Sequence, residues 1–163
     1  MTEPLTLSID AMGGDNAPEM VIEGIEASLT RLSQVKFLLF GDQARLAPLL
    51  ERHPMVAAVS EVRHTDEAIT NDQKVSSALR AGRNSSMRLA IDAVGAGEAA
   101  GVISAGNTGA LMAMAKFVLK TLPGIDRPAI AGYYPTQRGE SVMLDLGANV
   151  DCDADNLVQF AVM

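Results

Sequence analysis

Residues 35–40 read VKFLLF, five apolar side chains in six with no polar alternation. A strand with one wet face alternates apolar and polar residues, whereas a run like this needs cover on both faces. That requirement points to a sheet sandwiched between helices, and the flanking sequence supplies them. Before the run, Pro18 leads into EMVIEGIEASLTRL, with proline near the first helical turn. After it, Asp42 is placed to cap a second helix reaching Arg52. Strands that return parallel need such crossover helices, so the pattern predicts a three-layer α/β/α domain with a mostly parallel sheet.

The alternation continues. Residues 5–9 read as the first strand, VAAVSEV (56–62) as the third and GVISAG (101–106) as the next strand with its exit. Between 63 and 74 no period holds, which predicts a long surface loop. Helical pattern resumes at Val75, breaks at Gly82 and restarts in SSMRLAIDAV, with Ser85 or Ser86 as cap. The segment NTGALMAMAKFVLKTL is apolar almost all round, which predicts a helix buried between layers. PAIAGYY (128–134) and SVMLDL (141–146) read as strands joined by a turn at Arg138 and Gly139, and Asp153 or Asp155 starts a last helix. That helix meets Met163 without the glycine, lysine or proline of a stop, so residues 1–163 read as part of a longer protein.

Composition narrows the function. Thirteen basic against 20 acidic residues give a net charge of −7, which argues against broad nucleic-acid binding. An anionic ligand has to be held locally, by main-chain N–H groups and a few arginines. With one cysteine and two histidines, neither a disulfide nor a metal site is expected. Cys152, between Asp151 and Asp153, reads as structural. His53 and His64 read as loop residues. The start, MTEPLTLSID, has no secretory signature, and the chain reads as cytoplasmic.

Ligands of open α/β sheets bind beyond the carboxyl ends of the strands. Three exits here share one style, glycine beside Asp or Asn at a helix start: Asp10 to Asp15 with Gly13 and Gly14; Ser104 to Gly109 with Gly106, Asn107 and Thr108; and Asp145 to Asp151 with Gly147 and Asn149. Glycine admits positive φ and close approach, and a helix start presents unpaired N–H groups suited to phosphate. Any α/β protein also needs such turns, so one exit alone leaves both readings open. Three alike bring the site reading level with the turn reading. Arg83, with Ser85 and Ser86 at the next helix start, forms a second anion-friendly corner or else a solvated arginine beside an N-cap. Other motifs fail on context. GxGxxA at 95–100 precedes a strand instead of following one, and 101–106 misses the GxSxG elbow by one residue.

DAMGGDNAP (10–18), RNSSM (83–87), SAGNTGALMA (104–113), RPA (127–129), LDLGANVDCD (144–153) and LVQFAVM (157–163) resemble, in order, the phosphate acyltransferases of bacterial phospholipid synthesis, the PlsX family. The resemblance implies transfer of a fatty acyl group from acyl carrier protein thioester to inorganic phosphate, without a cofactor. It implies a fold similar to the isocitrate and isopropylmalate dehydrogenases and phosphotransacetylases. It also implies a cytoplasmic homodimer at the inner membrane surface, feeding a membrane acyltransferase. On this reading the chain is the amino-terminal half, inactive alone, with the carboxy-terminal half absent. Many family members carry lysines at Gly82 and Arg83, where this chain departs.

Phosphate is itself an oxyanion nucleophile, so the site has to supply position and oxyanion stabilisation. Gly106, Asn107 and Thr108 with the Gly13–Gly14 loop are the candidates to hold the anion, and Asn149 to donate from the third exit. Asp10, Asp15 and Asp145 are expected to orient loops, because like charges repel. Competing readings are a small-acyl phosphotransferase, a nucleotide-dependent dehydrogenase, or a module that docks carrier protein or membrane.

Overall fold

The computed structural model describes residues 4–163, in two units divided between Leu119 and Lys120. In the first unit, β1 (Leu5–Asp10), β2 (Val35–Gly41), β3 (Ser60–His64) and β4 (Gly101–Ile103) form one sheet in the order β3-β2-β1-β4. Every pairing is parallel. Helices α1 (Glu19–Leu29), α2 (Gln43–Arg52) and α3 (Pro54–Ala57) cover one face; α4 (Val75–Ala81), α5 (Ser86–Gly95) and α6 (Thr108–Leu119) lie on the other. This is the three-layer α/β/α arrangement expected of the sequence.

The apolar run explains the layers. Phe37 and Leu39 join Ile22, Ile25, Leu46, Leu49 and Val56 beneath α1–α3. Leu38 and Phe40 point the other way, onto Ala90 and Ala93 of α5 and Ala99 after it. Alternate side chains thus fill two cores, and in this run only Lys36 is exposed. The alanines let α5 approach the sheet closely enough for Ser8 Oγ to donate to Ala90 O at 2.7 Å. Asp42 caps α2 as expected, its Oδ1 accepting from Ala44 N at 2.9 Å.

Three expectations are corrected. The third strand starts at Ser60, because Pro54 opens a helical turn that buries Val56. His64 consequently ends a strand instead of lying in a loop, and its Nδ1 accepts from Gln43 N. Helix α6 is not enclosed. It packs on α4 and α5, not on the sheet, so only Ala110 and Met114 are buried and Phe117 is 64% exposed.

In the second unit, β5 (Gly132–Thr136) and β6 (Gly139–Met143) form a two-stranded antiparallel hairpin, separate from the parallel sheet. Only Gln137 and Arg138 connect the two strands, which allows antiparallel pairing but not a parallel return, and Pro135, without an N–H, suits an edge strand. Helix α7 (Ala154–Val162) opens with a reciprocal cap between Asp153 and Asn156. The intervening loop is organised by Asp145. Its Oδ1 accepts from Ile130 N at 2.7 Å, and its Oδ2 from Asn149 N at 2.7 Å and Asn149 Nδ2 at 3.1 Å.

Two predictions follow from this packing. Leu39 is fully buried, so Leu39→Ala is expected to lower the unfolding free energy by about 2–5 kcal/mol in urea titration. Lys36→Ala on the same strand should change it by under about 0.5 kcal/mol. Desolvation raises the Asp145 carboxyl, but hydrogen bonds from Ile130, Asn149 and Ala148 hold it below its ordinary 3.8. The unfolded chain therefore takes up the proton first. The group's stabilisation is present above that ordinary value and is lost as pH falls through the folded one. The stability gap between wild type and Asp145→Asn is expected to narrow between neutral pH and about pH 3. An unchanged gap in acid and neutral urea titrations overturns this assignment.

Candidate functional site

Strands β1 and β4 are neighbours and parallel, so their carboxyl ends leave the sheet at one rim. Asp10 ends β1 and is only 2% exposed. Ser86 Oγ, from the start of α5, donates to its Oδ1 at 2.5 Å. Ser104 Oγ, just past β4, donates to its Oδ2 at 2.7 Å. Ser104 Oγ in turn accepts from Gly106 N at 3.1 Å, and Met12 N donates to Asp10 Oδ1 at 3.3 Å. One carboxylate thus fastens β1, α5 and the β4 exit together.

The two glycine loops touch around this junction. A Cβ on Gly13 would collide with the Asp10 carboxylate and lie 2.8 Å from Ser104 Oγ. A Cβ on Gly106 would lie 3.2 Å from Gly13 Cα. Gly14 has φ +113° and faces Ala105 and Met20. The first and second exits are therefore packed on one another, as a shared rim requires.

Residues 65–74, expected as a loop, form a strap across this rim that the sequence did not reveal. Ile69 anchors it at 5% exposure. Its Glu67 O accepts from Ser86 N at 2.9 Å, and Asn71 Nδ2 donates to Asp15 Oδ1 at 2.5 Å. Asn107 holds its far side: Nδ2 donates to Asn71 O and Gln73 O, each at 3.0 Å, while Oδ1 accepts from Ala110 N at 3.0 Å. Asn107 is thus both the cap of α6 and the strap's anchor, and its amide hydrogens are engaged. No described residue accepts from the main-chain amides of Thr108 and Gly109, the first two residues of α6. The available signal for the strap was the polar run Thr70-Asn71-Asp72-Gln73, whose side chains suit main-chain partners.

The second corner is mostly internal. Ser85 caps α5, accepting from Arg88 N and donating to Gly82 O at 2.7 Å. Both serines are fully buried. Arg83 is exposed in the turn between α4 and α5, and no described carboxylate pairs with it. Arg88 is occupied by Asp92 at 2.9 Å. Asp145 and Asn149 belong to the second unit and follow the antiparallel hairpin, so they do not leave the parallel sheet that carries the other two exits. Asn149 Nδ2 also donates to Pro128 O at 3.0 Å. Asp10, Gly13, Gly14, Asp15, Ser86, Ser104, Gly106, Asn107 and Thr108 share the rim of the first unit.

Residues 5–163 match the family model described as fatty acid synthesis protein. The phosphate acyltransferase of Rhodospirillum centenum is 68% identical over 163 residues, which are 100% of this chain and 46% of that protein. Those of Paramagnetospirillum magneticum and Rhodospirillum rubrum are 60% and 59% identical, again over all of this chain and 46% and 47% of theirs. The chain spans just under half the length of these relatives. Matched along nearly its whole length, it belongs to the fatty acid synthesis protein family, the PlsX-type phosphate acyltransferases.

Proposed function

We propose that the full-length protein carrying this sequence transfers a fatty acyl group from acyl carrier protein thioester to inorganic phosphate, making acyl phosphate for phospholipid synthesis. The observation that carries the reading is the buried Asp10 junction, which clamps two glycine loops together beside the open amides of α6. Family membership supplies the substrates: the relatives are named phosphate acyltransferases.

In the reaction, a phosphate oxygen attacks the thioester carbonyl carbon. The new C–O bond forms as the carbonyl oxygen takes up negative charge. The C–S bond then breaks, the carrier thiolate leaves and is protonated by solvent. Little acid–base help is needed, so rate comes from holding the anion against the carbonyl and from donors aimed at the oxyanion. The amides of Thr108 and Gly109, at the positive end of α6, are assigned to the anion. Gly106 gives the backbone room to approach, and Arg83, exposed in the turn before α5, is assigned to supply positive charge. Asn107, Asp10, Asp15, Ser86 and Ser104 act as positioning residues that hold these loops. Asp145 and Asn149 order the loop after the hairpin. The protein is further assigned as a cytoplasmic homodimer that works at the membrane surface and passes its product to a membrane acyltransferase. Among the described residues no helix is long and apolar enough to cross a membrane.

The test is acyl phosphate formation by the full-length protein from acyl carrier protein thioester and phosphate. Its absence overturns the reading. Two substitutions separate the roles of Asn107. Asn107→Asp keeps an oxygen for the α6 cap but loses the donors to the strap, whereas Asn107→Ala loses both. Both are expected to lower turnover by about 10²-fold, the scale of a misplaced oxyanion site. Only Asn107→Ala should also cost the cap, about 0.5–2 kcal/mol in thermal unfolding. Unchanged turnover in both variants removes the strap from the mechanism.

A further inference from the structure

We propose that the apolar cleft between α1 and the carboxyl ends of β1 and β4 holds the acyl chain of the thioester, with Ser104 at its polar mouth. The proposal rests on the acyl transfer assigned above and gives its lipid substrate a place. The cleft, partly open to solvent, has a volume of about 300 Å³ and is lined by Met20, Ile9, Ile25, Leu32, Phe37 and Ile103. Its polar lining is Ser28, which donates to Ile25 O, and the pair Asp10 and Ser104 at one end. The rest of the lining is apolar apart from Gly24 and the main chain. The occupant this fits is a molecule with a long apolar tail and a single polar head. An apolar cavity of about 150 Å³ accepts benzene, so twice that volume has room for an alkyl chain.

Gly24 gives the independent observation. It lies inside α1, where glycine is less stable than alanine, yet it has no positive φ and a Cβ there would meet nothing within 4 Å. Gly13, Gly82 and Gly106 differ, because crowding explains each of them. Neither backbone nor packing within the described residues accounts for the missing side chain at 24. It does keep open the helix side of the cleft, which Gly24 lines. Across the cleft Ile103 is 51% exposed, and Leu32 is 40% exposed, so apolar surface stands uncovered beside the gap.

The experiment compares the full-length wild type with Gly24→Leu and the milder Gly24→Ala. Both replace a helix-interior glycine, so thermal unfolding should show no loss of stability. Acyl phosphate formation is measured from hexadecanoyl and hexanoyl acyl carrier protein, and binding of cis-parinaric acid is followed by fluorescence. With leucine, kcat/KM for the hexadecanoyl substrate should fall about tenfold more than for the hexanoyl one, through displaced methylene contacts. Alanine should give a smaller fall in the same direction. Equal effects on both chain lengths, or none, overturn the proposal. So does a structure of the full-length protein in which another part of the chain fills the cleft against Gly24. If the wild type makes no acyl phosphate from either thioester, the proposed activity fails and binding decides the cleft. Saturable cis-parinaric acid binding, weakened about tenfold by leucine, then upholds it, and absent binding overturns it.

Discussion

A carboxylate removed from water is costly unless hydrogen bonds replace its hydration, and Asp10 meets that condition with donors from three elements. Ser86 brings the start of α5, whose N-terminal dipole also favours a negative group, and Ser104 brings the β4 exit. Neither hydroxyl reaches Asp10 unless α5 crosses the sheet at the carboxyl end of β1 and β4 pairs beside it. The strand order and the loop positions are therefore tied to one side chain. Buried polar contacts of this kind permit few alternatives, because any shift leaves an unsatisfied group.

The consequence is a rim of main chain instead of side chains. Gly13 and Gly106 are bare because the loops they belong to are drawn against the Asp10–Ser104 pair, leaving no space for a Cβ. The same compression fixes the start of α6, where Asn107 spends both ends of its amide on the cap and on the 65–74 strap. The first amides of the helix are left without described partners. Polar side chains build the frame and main chain lines the rim, which is what the proposed anion site relies on.

Much of this could be read from the sequence, wherever local chemistry decides the outcome. VKFLLF forced a sheet covered on both faces, Asp42 and Ser85 capped the helices that follow them, and Gly82 broke α4 from α5. The misreadings came from long-range terms. VAAVSEV has strand-like residues throughout, but Pro54 and the space beneath α1 and α2 turned its first part into a helical turn. An apolar circumference on α6 signalled burial, yet the described residues cover one side of it. The Asp145 exit matched the other two in composition, but the two-residue connection at Gln137 and Arg138 put its strand in an antiparallel hairpin. The strap was the least legible element, since Asn71 and Asn107 are 36 residues apart and only folding makes them partners.

The period of a strand sets side by side the anion site and the alkyl-chain site proposed for this rim. Ile9 pairs with Ile103, and both line the proposed acyl cleft on the α1 side. One residue further along each strand, Asp10 and Ser104 bond to each other, and Asp10 receives Ser86 from α5 on the opposite face. Successive residues at the ends of two adjacent strands thus separate an apolar compartment from a polar one by a single peptide unit. An acyl thioester has the same division at its carbonyl carbon. In the proposed complex, a tail seated against Ile103 would set that carbon at the Ser104–Gly106 turn. On the proposed reading, the alternation of the sheet itself sets the tail site beside the reacting carbon.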